Sequence, residues 1–331
     1  MRTCWVIDHP AHFQLFRPFF GEGDTLIVTR RQELDIMLEA IEGHAFIRVE
    51  RVQGGLLEKV GVGRARVKAV VAFLRDHPVE RIISKGAPLE LRAAKRCKVA
   101  HRIYLSDTEV NTIAHRLAKG VATACWLPAN WKDDIGFFAS SDADRLYTGI
   151  LPAAYLDAGA VNRAWESAKG QAHAELGLAA HELVIFHREL IGGGIHDDGE
   201  LIDYAPVLKK MGVHFVHTKE AAAAADGSAW ALPTRAALFD GVITGSTTLA
   251  SEMALCGVPT LLISKAERGF LDAIRSAPHV FIWNDPDLFD GRFAKVVAAW
   301  KMAMHAARTE GRRPLELDCD LADFIRESSS E

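Results

Sequence analysis

The chain has 331 residues, a formal net charge of −4 and a hydrophobic fraction of 49%. That length exceeds what one hydrophobic core usually serves, so two domains of middling size are expected. The small net charge argues against a global field that would hold the protein on nucleic acid or on anionic lipid.

Five cysteines are widely separated and form no CxxC pair. This predicts free thiols in a reducing compartment and no zinc site of that type. The chain does not open with a basic segment followed by an apolar one, and no apolar run approaches the roughly 18 residues that cross a bilayer. We therefore expect a cytoplasmic protein, with a peripheral membrane contact left open.

Short β-rich segments alternate with amphipathic segments in the first half of the chain. Strands are predicted at "CWVID", "TLIVT", "AFIRVE", "RIISKG", "RIYLSD" and "ATACWLP". In the helical segment "GRARVKAVVAFLRDH", an apolar stripe runs from Val67 to Leu74, and the basic residues, Arg66 among them, lie mostly off it. The alternation predicts a parallel sheet covered on both faces, in a Rossmann-like domain at residues 1–150.

Residues 151–180 interrupt this alternation with small and polar residues, and we interpret them as a linker region. Residues 181–331 resume it, with strands predicted at "LVIFH", "VHFVHT", "GVITG", "VPTLLIS" and "VFIWND" and a long final helix. The expected fold is α/β, with two consecutive Rossmann-like domains facing each other across a cleft. In open α/β sheets, ligands bind at the carboxyl ends of the strands.

The most informative strand end lies in "GVITGSTTLASEMALCGVPTLLIS". A strand ends at Thr244, and Ser246 or Thr247 can cap the helix that follows. Gly257 marks the end of that helix. The segment therefore predicts a strand, a tight turn and a capped helix.

The amino end of this helix is a candidate site for a phosphate group. Helix amino termini carry about half a positive charge and present free amides. The candidate contacts are Gly245, Ser246, Thr247 and Thr248. Glu252, more than a turn further on, can accept hydrogen bonds from the two hydroxyls of a ribose. The alternative is an ordinary capped helix with a solvated glutamate.

A second candidate phosphate contact lies in "LVIFHRELIGGGIHDDG". The three glycines Gly192, Gly193 and Gly194 can fold into a concave array of amides, with Arg188 and His196 as cationic or donor contacts. A glycine run after a strand is otherwise a flexible loop.

These segments resemble known families. "GSTTLASEMALCGVPTLL" resembles the donor-binding segment of GT-B nucleotide-sugar glycosyltransferases, such as the enzyme that adds N-acetylglucosamine in peptidoglycan synthesis, and of UDP-N-acetylglucosamine 2-epimerases. Together with "IDHPAHFQLF", "YLSDTE", "TGILPAAYL" and "HREL...GIHDDG", it also resembles the domain of unknown function 354 family (DUF354) over about residues 5 to 285. The glycine that this family carries before its first histidine is missing before His9, and Ser106 replaces a threonine.

The resemblance implies a GT-B fold and a nucleotide-sugar substrate, most simply UDP-linked, with no separate cofactor. The acceptor and its proton chemistry would then belong to the first domain, where "IDHPAH" leaves the leading strand. Transfer with inversion needs a general base, and Asp8, His9 and His12 are the candidates. The alternative is structural, with Asp8 capping a helix that begins near Pro10 and His12 packing in a polar corner.

The segment "YLSDTE" adds Asp107 and Glu109 at another strand end of the first domain. This carboxylate pair can bind sugar hydroxyls or share the proton chemistry. The alternative is a capping box, formed by Ser106 or Asp107 with Glu109. No third ligand accompanies His9 and His12 at a fixed local spacing, so no metal site is predicted.

The leading hypothesis is a metal-independent glycosyltransferase of the EC 2.4 class, with the donor in the second domain and the general base in the first. Its acceptor is left open among a glycan, a lipid-linked molecule and a small molecule, and nucleic acid is not expected. The alternatives are a UDP-sugar 2-epimerase-like enzyme and a non-catalytic nucleotide-sugar-binding protein.

Overall fold

The computed structural model describes residues 1–52, 55–179, 181–189, 213–219, 228–285 and 290–328. It divides into two compact units. Unit 1 comprises Met1–Tyr155 and Cys319–Glu331, and unit 2 comprises Leu156–Asp318.

Unit 1 is built on a seven-stranded parallel sheet with the strand order β3-β2-β1-β4-β5-β6-β7. Its strands are β1 Thr3–Ile7, β2 Thr25–Thr29, β3 Ala45–Val49, β4 Arg81–Lys85, β5 His101–Leu105, β6 Ala124–Pro128 and β7 Arg145–Tyr147. Its first five helices are α1 Pro10–Phe16, α2 Gln32–Asp35, α3 Leu56–Asp76, α4 Pro88–Arg96 and α5 Thr112–Ala118. Every residue of β1 and β2 is buried, as expected of parallel strands covered on both faces.

Unit 2 is built on a five-stranded parallel sheet with the order β12-β11-β10-β8-β9. Its strands are β8 Val184–Glu189, β9 His214–Lys219, β10 Gly241–Thr244, β11 Thr260–Ile263 and β12 Val280–Trp283. Its described helices are α6 Ala158–Ala168, α7 Gln171–Glu175, α8 Ser228–Ala236, α9 Thr247–Leu255, α10 Gly269–Arg275 and α11 Gly291–Glu310.

The predicted strands of both halves are found, and the domain limits differ from those expected. Residues 151–180, expected as a linker, contain α6 and α7, and Val161 of α6 packs into the core of unit 2 beside Phe186 and Met253. The short edge strand β7 escaped prediction because its three residues bury only Tyr147.

The end of the chain belongs to unit 1. The prediction of a second domain over residues 181–331 is therefore wrong for this segment. Helix α12, Leu321–Glu327, packs on unit 1 through an edge-on contact between Phe324 and Trp126, whose ring centroids lie 6.3 Å apart. The buried Arg81 guanidinium donates to the Ser328 hydroxyl at 2.6 Å. Asp320 accepts the backbone N–H of Thr148 at 2.8 Å. These contacts outweigh the continuity of the chain with α11.

Four acidic residues satisfy backbone donors at the amino edges of the two sheets. Each stands directly before one strand and accepts an N–H within one residue of the start of a neighbouring strand, at 2.7 to 2.8 Å. The four are Asp24, Glu80, Asp144 and Asp240. The hydrogen bonds of Asp24 and Asp240 are buried, and buried backbone donors are costly to leave unpaired, so these two carboxylates in particular serve the fold.

Candidate functional site

The strand order reverses once in each sheet, and the reversal marks where ligands bind in open α/β folds. In unit 1 the reversal lies between β1 and β4, and in unit 2 it lies between β8 and β10. Asp8 follows β1, and Thr244 ends β10. The two principal segments singled out from the sequence therefore begin at these two switch points.

Asp8, the first residue after β1, is held by three side chains of unit 1. Its Oδ1 accepts from the Thr29 hydroxyl at 2.5 Å and lies 3.6 Å from the Arg66 guanidinium. Its Oδ2 lies 4.0 Å from Arg31, and the side chain remains 32% exposed. One carboxylate oxygen is therefore fixed from inside the domain, and the other faces a partly open environment.

Arg66, on α3, is the buried centre of this arrangement. It binds the Glu90 carboxylate of α4, donates to the Glu50 carbonyl oxygen at 3.0 Å and donates to the Thr29 hydroxyl at 3.0 Å. Burial alone would lower the pKa of Arg66, but the Glu90 and Asp8 carboxylates raise it. Burial raises the pKa of Glu90, against the effect of Arg66. The network ties the Asp8 carboxylate to the interior.

The sequence interpretation missed this network, because Arg66 was grouped with residues lying off the apolar stripe of α3. A signal was present, since Arg66 precedes buried Val70 by four positions and so shares its face of the helix. The partner, Glu90, follows 24 positions later on another helix. Lys85 and Arg31, which also lie at this switch point, carried no local pattern that would identify them.

His9 and His12 both use Nδ1 to bind backbone amides. His9, rather than Asp8, is the N-cap of α1, and its Nδ1 accepts from the Ala11 N–H at 3.2 Å. The His12 Nδ1 accepts from the Asp8 N–H at 3.4 Å. An imidazole that accepts at Nδ1 carries its proton on Nε2 when neutral. In the neutral form, each ring therefore has its donor at Nε2.

His12 is buried, with 8% of its surface exposed. Burial holds the pKa of His12 well below its ordinary value, and the positive charges of Lys85, His9 and Arg31 lower it further. The ring is therefore neutral near pH 7. Within the described residues, its Nε2 makes no hydrogen bond.

Lys85, at the end of β4, forms an ion pair with Asp107 at 2.9 Å. This pair connects the exit of β5 with the switch point beside β1. The capping-box interpretation of Ser106 to Glu109 is wrong, because α5 begins only at Thr112. Asp107 instead joins the cluster at the strand ends.

Glu109, two residues after Asp107, is fully buried. Its carboxylate accepts the Lys132 N–H at 3.1 Å. The backbone of Gly136 crosses so closely that an added Cβ would lie 2.5 Å from the Glu109 carbonyl oxygen. The segment that follows β6 thus covers Glu109, and a role in sugar binding stays a prediction.

In unit 2, Ser246 is the N-cap of α9, as predicted. Its hydroxyl accepts from the Leu249 N–H at 3.3 Å, and its own N–H donates to the Thr244 hydroxyl at 2.9 Å. Within the described part of the chain, the amides of Thr247 and Thr248 donate no hydrogen bond. With Gly245 before them, these half-buried residues form an amide-lined helix terminus.

Arg188 lies beside this terminus. Its Cα is paired in register with that of Thr244, because β8 and β10 are neighbours in the sheet. The side chain is buried, with 8% of its surface exposed. A cation and two amide donors therefore lie at the same edge of the sheet.

Glu252 lies in the second turn of α9, on a helix whose residues from Leu249 onward are all buried. Its side chain is 4% exposed, so it is not the solvated glutamate of the alternative interpretation. Helix α9 ends before Gly257, which has a φ of +70°. A Cβ there would lie 2.6 Å from the backbone of Arg313. Both the positive φ and this close approach therefore require glycine.

Gly192, Gly193, Gly194 and His196 lie outside the described residues. Among the residues that are described, no group of three His, Cys, Asp or Glu side chains is placed to hold a metal ion. A search of the same residues finds no helix with the length and apolar character needed to cross a membrane.

Solved structures share the whole architecture. A UDP-GlcNAc 2-epimerase from Neisseria meningitidis bound to UDP-GlcNAc matches with a TM-score of 0.67 and 13% identity, covering 100% of both chains. MurG of Acinetobacter baumannii matches with a TM-score of 0.53 and 11% identity, over 99% of this chain and 100% of that one. The glycosyltransferase VinC in complex with dTDP matches with a TM-score of 0.50 and 13% identity, over 100% and 99%.

No protein-family model and no curated protein sequence matches the chain, so membership of DUF354 stays a prediction. At such identities the solved structures show the fold alone. Two parallel-sheet α/β domains, matched over the full chain, give this protein a GT-B-like fold.

Proposed function

We propose that this chain is a glycosyltransferase that takes a sugar from a nucleotide diphosphate and transfers it, without a metal ion, to an acceptor hydroxyl. The observation that carries the proposal is the amino end of α9, where the Thr247 and Thr248 amides, which donate no hydrogen bond within the described residues, lie beside the buried Arg188. Amides at a helix terminus and a nearby guanidinium are a suitable set for a diphosphate. One solved structure of this fold is bound to UDP-GlcNAc, which supports a UDP-linked donor.

In this reaction the acceptor oxygen bonds to the anomeric carbon while the bond from that carbon to the diphosphate oxygen breaks. Negative charge develops on the leaving diphosphate. The Thr247 and Thr248 amides and the Arg188 guanidinium are fixed before the reaction begins, so they stabilise this charge without reorganising.

We assign the general base to Asp8. His9 and His12 each accept a backbone N–H at Nδ1, so in the neutral rings Nε2 carries the proton and is a donor, not a base. Asp8 keeps Oδ2 on its partly open side, while Oδ1 is occupied by Thr29 and Arg66. A carboxylate that keeps one oxygen on a partly open side can take the proton of an acceptor hydroxyl.

The test of donor binding is calorimetric titration of the intact chain with UDP and with uridine. We expect UDP to bind and uridine to bind far more weakly. Arg188→Met should weaken UDP binding by about 1.5 to 3 kcal/mol, the usual range for a hydrogen bond to a charged group. Arg275→Met, which removes an exposed arginine of α10, is the matched control. Equal UDP affinity in the wild type and Arg188→Met would contradict the proposal.

The reaction is tested with UDP-GlcNAc and a mixture of acceptors, scored by release of UDP. Asp8→Asn should slow transfer by about 10²- to 10⁴-fold, the usual contribution of a general base, and should leave UDP affinity unchanged. An unaltered rate in Asp8→Asn would remove Asp8 as the base.

An epimerase is the second candidate, because UDP-GlcNAc 2-epimerases share the fold. Incubation with UDP-GlcNAc alone separates the two reactions. Formation of an epimeric UDP-sugar without any acceptor would favour epimerisation, and conversion that requires an acceptor would favour transfer. Tight UDP binding without either reaction would favour the non-catalytic alternative.

A further inference from the structure

The ion-paired charges at the β1 switch point of unit 1 cancel. Six side chains form ion pairs there, four of them in one connected group around Asp8 and Arg66 and the other two in the separate Lys85–Asp107 pair. Three are carboxylates and three are cations: Asp8, Glu90, Asp107, Arg31, Arg66 and Lys85. The neutral His12 adds no charge. An incoming charged group would lose water and meet no net opposite charge, which is costly in a partly buried site.

The same cluster offers both hydrogen-bond donors and acceptors. His12 presents Nε2–H, because its Nδ1 accepts the Asp8 amide. Asp8 presents Oδ2, and Asp107 contributes a carboxylate whose Oδ1 is paired with Lys85. A hydroxyl donates one hydrogen bond and accepts others, so a set of mixed donors and acceptors fits a molecule with several hydroxyls.

The two switch points therefore differ in the chemistry they would recognise. The amino end of α9 presents amide donors and the cationic Arg188, with no carboxylate in the first turn of the helix. The exit of β1 presents balanced charges and interleaved donors and acceptors. Only the first is arranged for a phosphate group.

We propose that the exit of β1 binds a neutral, polyhydroxylated acceptor, a carbohydrate without phosphate, through the His12 Nε2–H and the Asp8 and Asp107 carboxylates. This inference rests on the proposed function, because only a transferase has an acceptor. It adds the chemical class of that acceptor. A phosphorylated sugar is the competing occupant.

The test uses the full chain with isotopically labelled histidine and follows the His12 imidazole by NMR, without nucleotide. The probes are neutral mono- and disaccharides and their 6-phosphates, with inorganic phosphate as a further probe. We expect saturable shifts of the His12 resonance with at least one neutral sugar and no tighter binding of its 6-phosphate. Tighter binding of the phosphorylated partner, or no saturable shift with any neutral sugar, would overturn the proposal.

Charge variants sharpen the test. Asp107→Asn leaves Lys85 without its counter-ion, so the preference for a 6-phosphate over the neutral sugar should rise by about tenfold. Asp142→Asn is the matched control, because it breaks the Lys119–Asp142 pair, which has the same 2.9 Å separation, and changes the net charge equally. An equal rise in both variants would show a global charge effect and would overturn the assignment to this cluster.

Two His12 variants test the donor itself, with binding observed on the sugar signals. His12→Gln retains an N–H near the position of Nε2, and we expect its affinity to stay within about threefold of the wild type. His12→Phe should lose about tenfold, the equivalent of one hydrogen bond. Equal affinities in the two variants would contradict the donor role. These sugar-binding measurements contain no nucleotide, so they can be interpreted even if separate titrations show that UDP does not bind.

Discussion

The two switch points share a position in the fold and differ in how their polar groups are satisfied. At the exit of β1, ion pairs and hydrogen bonds connect Asp8 to Arg66, Thr29 and Arg31. At the exit of β10, two helix amides make no hydrogen bond to the described residues. Side chains that are already paired fix the local structure, whereas amide donors at a helix amino terminus are suited to binding an anion.

The comparison also separates two uses of acidic residues. Asp24 and Asp240 at the amino edges accept backbone amides and hold strand starts. Asp8 and Asp107 at the carboxyl edge bind other side chains and keep partial exposure. Position along the strand, more than residue type, therefore distinguishes structural carboxylates from candidate functional ones.

The largest expected effect comes from a variant that disrupts the ion pairs at the exit of β1. Arg66→Met leaves the buried Glu90 carboxylate and one oxygen of Asp8 without their cation. Removing one partner of a buried ion pair typically costs about 3 to 5 kcal/mol. We expect a loss of that size in the free energy of unfolding, measured by urea denaturation.

Arg64→Met, two positions earlier on α3 at an exposed site, is the control for that loss and should change stability by less than about 0.5 kcal/mol. If Arg66→Met and Arg64→Met were equally stable, the buried network would not be what holds Asp8.

The next largest effect concerns α9, which follows the exit of β10. Glu252→Gln keeps the shape of a side chain that is 4% exposed and removes its charge. If Glu252 accepts hydrogen bonds from the ribose, UDP affinity should fall by about 1.5 to 3 kcal/mol, the cost of losing charge-assisted hydrogen bonds. Calorimetry checks this, with the exposed Glu267→Gln as control. Unchanged affinity for UDP and UDP-sugars would remove Glu252 from the site.

The third prediction concerns pH. Burial lowers the pKa of His12 in the folded chain, so below its ordinary value of about 6.5 the unfolded chain binds a proton that the folded chain does not. The stability contributed by neutral His12 is present above about pH 6.5 and is lost as the pH falls below it, by up to about 1.4 kcal/mol per pH unit.

Urea denaturation of the wild type and His12→Gln between pH 7.5 and 5.5 measures this contribution of His12 to the free energy of unfolding. The difference between the two proteins should change with that slope. The pKa of His279 in unit 2 is also lowered, chiefly by burial, but this residue is present in both proteins and cancels. A pH-independent difference would show that His12 titrates alike in the folded and unfolded chains.

The smallest effect separates the Ser246 hydroxyl from the amides that follow it. Because this hydroxyl is engaged in the cap of α9, Ser246→Ala should lower stability by about 1 kcal/mol, and Ser246→Gly by only a few tenths. UDP affinity should stay unchanged in Ser246→Gly, since the Thr247 and Thr248 amides remain. A large loss of UDP binding in Ser246→Gly would assign the phosphate contact to the hydroxyl instead.

Much of the fold was predictable because its signals are local. Strands such as β1 and β10 are continuous apolar runs bounded by polar residues or glycine, and the cap at Ser246 and the end at Gly257 follow from residue type. The same rules placed Asp8 and Gly245 at strand ends, where the structure has them.

What escaped prediction depends on contacts between distant segments. Arg66 is buried because Glu90 meets it from another helix, and Glu109 is covered by a loop that follows β6. The donor character of His12 follows from one backbone amide, that of Asp8. Helical periodicity places Arg66 on the buried face of α3, but no spacing in the sequence identifies Glu90 as its partner or encodes the other two relations.

The most direct test of the proposed phosphate site is hydrogen–deuterium exchange of the intact chain with and without UDP-GlcNAc. If the diphosphate binds at the amino end of α9, the amides of Thr247 and Thr248 should become protected when the ligand is added. Exchange in the segment around these two residues that is the same with saturating UDP-GlcNAc as without it would contradict the account.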